Sequence, residues 1–268
     1  AGAAYCYFDR ILKMHIFRYA NLLKHLVARD IKLKYRYSVI GLLWSLLNPV
    51  LMIAVYTFAF GYILKSSVPN YALFLLTGML PWTFFSSSLL AATTSVIDNS
   101  AMIKKLRFPL EILPLSTVLF NLFLLLMALA ALLPAAFVWF GLKTSFAICG
   151  FTLLLALQIA FTAGAGFFLS TATVYFRDVR HFTEVLLMLL FWVTPIVYDL
   201  HSLPPGLAKA LLYLNPMTSF TLGYQDAILR GRWPSPQVLG IAAGYCAAAL
   251  LLGRFTFDKF KSRFAEVI

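Results

Sequence analysis

A chain of 268 residues that is 62% hydrophobic and 12% charged, with a mean hydropathy of +0.85, falls outside the ordinary soluble class, whose charged fraction is roughly 25%. Its formal charge of +12 raises nucleic acid as a partner, but the placement of the charge answers to a membrane surface, so membrane lipid is expected and nucleic acid is not. The composition is that of an all-α integral membrane protein: apolar runs such as residues 122–133 lack the alternation a spanning strand requires.

The first predicted element is an amphipathic helix over residues 8–27. Phe8, Ile11, Leu12, Ile16, Tyr19, Leu22, Leu23 and Leu26 recur at helical spacing opposite Arg10, Lys13, Asn21 and Lys24. Such a helix lies in the membrane interface or packs on a cytoplasmic partner. It belongs to a cytoplasmic segment 1–38, ahead of a transmembrane unit 39–268. The first apolar window lies behind some 38 residues of basic, non-apolar chain, so no cleavable signal peptide is expected.

Six windows are long enough to cross a ~30 Å hydrocarbon layer as helices. They lie near 39–64, 71–97, 110–140, 146–175, 183–199 and 236–255. The first carries Gly41, Trp44, Asn48 and Pro49, and a kink is expected at the proline. The second opens with Gly78, Pro81 and Trp82 and continues into a hydroxyl-rich lining from Thr83 to Ser95. Between the second and third, residues 98–108 read as a short cytoplasmic helix that starts at Asp98 or Asn99 and stops before Pro109. The fourth delivers the chain to the mixed-charge loop Phe176-Arg177-Asp178-Val179-Arg180-His181. The fifth is short and ends at Pro195. Residues 203–233, broken by Pro204-Pro205-Gly206, Asn215-Pro216 and Gly223, fit re-entrant helices better than another crossing.

With the N-terminus inside, the inner segments hold Arg10, Lys13, Arg18, Lys24, Arg29, Lys32, Lys34, Arg36, Lys104, Lys105, Arg107, Arg177, Arg180, Arg254, Lys259, Lys261 and Arg263. Only Lys65, Lys143, Lys209, Arg230 and Arg232 fall outside. This is the positive-inside pattern, and it places both termini in the cytoplasm.

Every carboxylate falls near a crossing end or in a loop, which argues against ion-coupled transport. No G-x-x-x-x-G-K-[ST] phosphate loop is present, so uphill transport would draw its energy from another subunit. Cys6, Cys149 and Cys246, and His15, His25, His181 and His201, lack metal-ligand spacing. No catalytic residue, metal site or cofactor of its own is expected. Aromatic residues make up 16% of the chain, and their faces suit stacking on sugar rings as well as interfacial belts and packing.

The order of these features resembles the permease subunits of polysaccharide-exporting ABC transporters, the exporters of O-antigen, teichoic acid and capsule. The resemblance rests on Gly41, Trp44 and Pro49, Gly78-x-x-Pro81-Trp82, Lys105-x-x-Phe108-Pro109, Phe176-Arg177-Asp178, Pro195-Ile196-Val197-Tyr198 and Asn215-Pro216. It implies a homodimer in a bacterial inner membrane, joined to two copies of a separate nucleotide-binding ATPase subunit that carries ATP and Mg. It implies export of a lipid-linked polysaccharide. The expected ATPase-docking residues are Lys104, Lys105, Arg107, Phe108, Phe176, Arg177, Asp178, Arg180 and His181. The expected channel and gate residues are Trp44, Asn48, Tyr56, Trp82, Phe85, Trp192, Pro195, Tyr198, Pro204, Pro205, Asn215 and Pro216. The basic run Arg230-Gly231-Arg232-Trp233 departs from the pattern. Two other readings stay open: export of a small amphiphile such as a drug or free lipid, and an intramembrane glycosyl or acyl transferase.

Overall fold

The computed structural model describes residues 19–36, 41, 43–66, 68–106, 108–140 and 147–267. In chain order its elements are α1 (Ala20–Tyr35), α2 (Leu43–Tyr56, prolonged by wider π-helical turns over Thr57–Ile63), α3 (Tyr71–Asp98), α4 (Ser100–Lys105), α5 (Ile112–Phe140) and α6 (Ala147–Tyr175). They continue with α7 (Val179–Val193), α8 (Pro205–Leu214), α9 (Pro216–Ile228), α10 (Pro236–Phe260) and α11 (Phe264–Val267), with 3-10 turns at Leu200–Ser202 and Lys261–Arg263. Residues 8–18 of the expected interface helix and Arg107 lie outside the described residues.

The local chemistry accounts for the boundaries. Helices α8, α9 and α10 each begin on a proline, whose fixed φ suits a first turn and whose missing N–H costs nothing there. Asn215 and Ser235 cap α9 and α10, accepting from the backbone N–H of Met217 at 3.0 Å and of Val238 at 3.3 Å. Asn99, an expected helix start, precedes α4 at its N-cap position and also closes α3. Its amide donates to the Ser95 carbonyl at 2.8 Å while its oxygen accepts from Arg29 at 3.0 Å.

Among the described residues, five helical segments are long and apolar enough to cross a membrane: Leu43–Ile63, Tyr71–Asp98, Ile112–Leu132, Cys149–Tyr175 and Pro236–Arg263. Pro49 lies inside helix α2, which departs from α-geometry only after Tyr56. The expected fifth crossing differs most. Helix α7 has 15 residues, about 22 Å at ~1.5 Å per residue. Pro195 ends it, because the residue before a proline is pushed out of the helical region and Thr194 adopts ψ 136°. The expected mixed-charge inner loop from Phe176 to His181 is partly helical, since Val179 to Phe182 form the first turn of α7.

Helix α3 is central, with 78% of its most apolar window buried against 6% for α2. Helix α1 extends to Tyr35, past its expected end, because Leu26 packs with Ile112 and Leu113 while the Lys34 ammonium lies 5.3 Å over the Phe120 ring. Contacts spaced equally on both helices mean that α1 climbs beside α5 for about 12 Å. At the same end of the bundle, Glu111 receives Lys261 at 2.8 Å and Arg254 at 3.4 Å, and Tyr175 meets Phe260 at 5.5 Å. This basic end contrasts with the opposite one, where Asp226 holds Arg230 at 2.8 Å.

Helices α6 and α10 approach closely through Gly164 and Gly253. A Cβ on Gly164 would sit 2.5 Å from the backbone of Ala249 and Leu250, and one on Gly253 would overlap the Gly164 carbonyl. Gly253→Val should therefore separate the pair and destabilise the protein by about 1–3 kcal/mol or more. Gly240→Ala, where a Cβ meets nothing within 4 Å, should leave stability unchanged or slightly raised. Thermal unfolding of both variants in detergent checks the contrast.

Candidate functional site

Where α7 stops, the chain runs without helix from Thr194 to Asp199, and Thr194, Pro195, Ile196 and Val197 are buried there. Carbonyls released in apolar surroundings need donors from the protein. Three residues of α3 and α9 supply donors. From the start of α3, the Tyr71 hydroxyl donates to the Val197 carbonyl at 2.6 Å. From α9, the Gln225 amide donates to the Pro195 carbonyl at 3.0 Å. The amide of Asn215, at the cap of α9, donates to the Thr194 hydroxyl at 2.9 Å, and that hydroxyl donates to the Leu190 carbonyl at 2.6 Å. Tyr198 turns back to the Val193 carbonyl at 2.8 Å.

Gly78 makes the fit possible, since a Cβ there would lie 3.3 Å from Ile196 Cα and 3.4 Å from a Thr221 methyl. Behind the break, a fully buried relay ties α9 through α6 to α3. Tyr224 donates to Gln158 Oε1 at 2.7 Å, and Gln158 Nε2 donates to the Pro81 carbonyl at 2.9 Å. The break is thus braced from α3 and α9, with α6 behind them, while Asp199 and Arg230, 4.0 Å apart, mark its polar edge.

The residues expected to dock an ATPase divide into two groups. Phe176, Arg177, Asp178, Arg180 and His181 stand exposed together at the turn from α6 into α7, with Phe176 69% exposed. Glu184 joins them, 3.3 Å from Arg180 and 3.4 Å from His181. Lys104 and Lys105 are exposed at the end of α4. Phe108 instead turns inward and packs in the cluster of Leu26, Ile112 and Leu113, so it fastens the loop to α1 rather than offering a free ring.

The expected channel and gate residues do not form one surface within the protomer. Trp82 and Phe85 are buried in the core: Trp82 packs 5.7 Å from Phe191, and Phe85 stacks on Phe161 at 5.5 Å. Tyr56 is half-buried, 6.0 Å from Phe191, and Trp192 is exposed beside that ring at 5.4 Å. Trp44 and Asn48 line a cavity of about 350 Å³ between α1, α2, α3 and α5. Pro195, Asn215 and Pro216 belong to the break and its bracing, with Tyr198 at its rim. Pro204 and Pro205 are exposed at the start of α8.

Tyr71, Gln158, Tyr224 and Gln225 had no place in the sequence expectations. For Gln158 a signal exists: it is an amide inside an otherwise apolar span, where hydrocarbon would penalise it unless a partner waits. Among the described residues no cluster of three or more His, Cys, Asp and Glu could hold a metal ion.

The bundle and its braced break can now be set beside known proteins. The sequence profile of the ABC-2 type transporter family matches residues 21–229. The chain belongs to that family. Relatives include the O-antigen export system permease protein RfbA of Myxococcus xanthus, 33% identical over 260 residues, which are 96% of this chain and 99% of that protein. RfbA of Klebsiella pneumoniae is 33% identical over 251 residues, 92% and 95% of the two chains. The polysialic acid transport protein KpsM of Escherichia coli is 24% identical over 235 residues, 85% and 89% of the two chains. The matched region contains both the exposed turn at Phe176 and the braced break at Pro195.

Removing one donor while leaving its buried carbonyl in place costs about 1–3 kcal/mol. Tyr71→Phe and Gln225→Leu should each destabilise the protein by that amount. Tyr198→Phe, at the half-exposed rim, should cost less, since water can replace its bond. Midpoints of thermal unfolding in detergent give the comparison.

Proposed function

We propose that this chain is the transmembrane subunit of an ATP-driven exporter that carries a lipid-linked polysaccharide out of the cytoplasm, across a bacterial inner membrane, through a channel at a homodimer axis. The observation that carries this reading is end-to-end similarity to an O-antigen export permease, 96% of one chain against 99% of the other. In this reading ATP and Mg are bound by two copies of a separate ATPase subunit. Residues 1–38 form the cytoplasmic interface segment and 39–268 the transmembrane unit, with both termini inside.

The fifth of six crossings is α7 together with the non-helical residues that follow it. A helix of about 22 Å needs only the few non-helical residues after it to complete a ~30 Å span, and α8 and α9 then form the re-entrant outer gate. The two ends of α7 carry different chemistry. Exposed Phe176, Arg177 and Asp178 precede its first turn, and the buried break follows its last. A partner that pushes on the turn tilts one short rod, and the displaced end is the one held by Tyr71, Asn215 and Gln225. Lys104 and Lys105 give the same partner a second contact. Polymer passage would use the exposed aromatic side chains of α2 and α7, whose faces support sliding along sugar rings.

Arg177→Ala and Asp178→Ala, each expressed with the cognate ATPase, test the coupling. Losing a central docking contact of ~2 kcal/mol should lower export more than about tenfold while ATP hydrolysis continues and the chain stays inserted. Export at the native rate in both variants would remove the docking role from this turn.

A further inference from the structure

The cavity beside α1 has a chemistry that the export reading does not use. Its polar wall consists of Lys34, Ser45, Asn48, Thr83, Ser87 and Asn121. Three of these are already engaged: Ser45 with the Tyr35 hydroxyl, Thr83 with the Met79 carbonyl at 2.8 Å, and Asn121 with the Thr117 carbonyl at 2.9 Å. Among the described residues, the Lys34 ammonium, the Asn48 amide and the Ser87 hydroxyl have no hydrogen-bond or ion-pair partner. The acid best placed by sequence to answer Lys34 is Asp30, one turn earlier on α1, and Arg29 occupies it at 2.8 Å. Burial holds the Lys34 ammonium below the usual lysine range, and an anion beside it would offset that cost.

The depth of the cavity suits the charged layer of a bilayer. Counting from Tyr71 at the far end of α3, a ~30 Å core is crossed in about 20 residues, so its near boundary falls close to Ala91. Ser87 sits about one turn short of that boundary, and Lys34 reaches in from α1. On the same wall, Leu124, Leu125 and Ala128 of α5 offer an apolar continuation, flanked by exposed Leu47 and Leu51 on α2. Three separated donors from three helices match a group with several acceptor oxygens better than a two-oxygen carboxylate.

We propose that this cavity binds the phosphate of an anionic lipid. Lys34 supplies the opposing charge, Asn48 and Ser87 donate hydrogen bonds, and an acyl chain lies along the groove between α2 and α5. The site does not depend on what the protein exports. The phosphate could belong to a bilayer phospholipid or to a polyprenyl-phosphate carrier.

Trp44 in the cavity wall reports occupancy. The purified chain in detergent micelles is titrated with phosphatidylglycerol or phosphatidylcholine brominated on the acyl chain, and quenching is measured relative to a Trp44→Phe chain. One basic side chain near an anionic headgroup should favour phosphatidylglycerol about fivefold. Lys34→Gln should abolish the preference, and Lys34→Arg, which keeps the charge and serves as the folded control, should retain it. Unlabelled polyprenyl phosphate added in equal amount separates the two sources. Relief of quenching supports the site with the carrier phosphate as its occupant, and persistent quenching supports it with the bilayer lipid. Equal quenching by both brominated lipids, or a preference that survives Lys34→Gln, would overturn the proposal.

Discussion

A helix that stops inside an apolar layer leaves backbone carbonyls with no water to accept from, and the end of α7 at Val193 is the constraint to which the rest of the bundle conforms. Tyr71, Asn215 and Gln225 each answer one point of the break. Their placement in turn requires α3 to be central and α9 to be buried along nearly its whole length. Gly78 is small because Ile196 passes over it. Helix α9 carries Thr218, Ser219, Thr221 and Gln225 in full burial, an arrangement that packing alone would not choose. Several of its polar atoms, including the hydroxyls of Thr218 and Thr221 and Gln225 Oε1, have no hydrogen-bond partner among the described residues.

The same short helix joins this network to the basic end of the bundle. Its first turn is continuous with the exposed charged residues after α6, and its last turn is fixed by the Thr194 hydroxyl and Tyr198. Because Thr183 and Leu187 are its buried side chains while Phe182, Val185, Met188 and Trp192 stay exposed, α7 rests on the bundle along one narrow stripe. A rod held along one stripe can tilt with little loss of packing. By contrast, α6 and α10 meet backbone to backbone at Gly164 and Gly253, which makes them the rigid frame against which such a tilt is measured.

Much of the fold was legible in the sequence because hydropathy and proline carry the dominant energies. The windows at 71–97, 110–140, 146–175 and 236–255 match α3, α5, α6 and α10 closely, and the interruptions expected at Pro204-Pro205 and Asn215-Pro216 are the starts of α8 and α9. The fifth window reached to residue 199, but its expected stop at Pro195 agrees with a helix that ends at Val193. Ile196, Val197 and Tyr198 are apolar enough to prolong the window, whereas the backbone effect of Pro195 acts one residue earlier. The family resemblance implied channel lining for Trp82 and Phe85, and both are buried within the protomer, since a ring's facing depends on which neighbour reaches it. Phe191 and Phe161 do so here. The bracing residues were hidden for a related reason: a tyrosine or glutamine gives no sign in sequence of the carbonyl it will meet more than a hundred residues away, as Tyr71 meets Val197.

Coupling through α7 is tested most directly by the accessibility of Val197, only 5% exposed. A Val197→Cys chain with its native cysteines replaced by alanine would be assembled with the cognate ATPase in liposomes and treated with a membrane-impermeant thiol reagent on the face opposite the ATPase. Labelling that rises when ATP is added, and that stays at the resting rate when Asp178→Ala is also present, is the expected result. Labelling that ignores ATP, or that rises equally with and without Asp178, would contradict transmission from the exposed turn to the braced break.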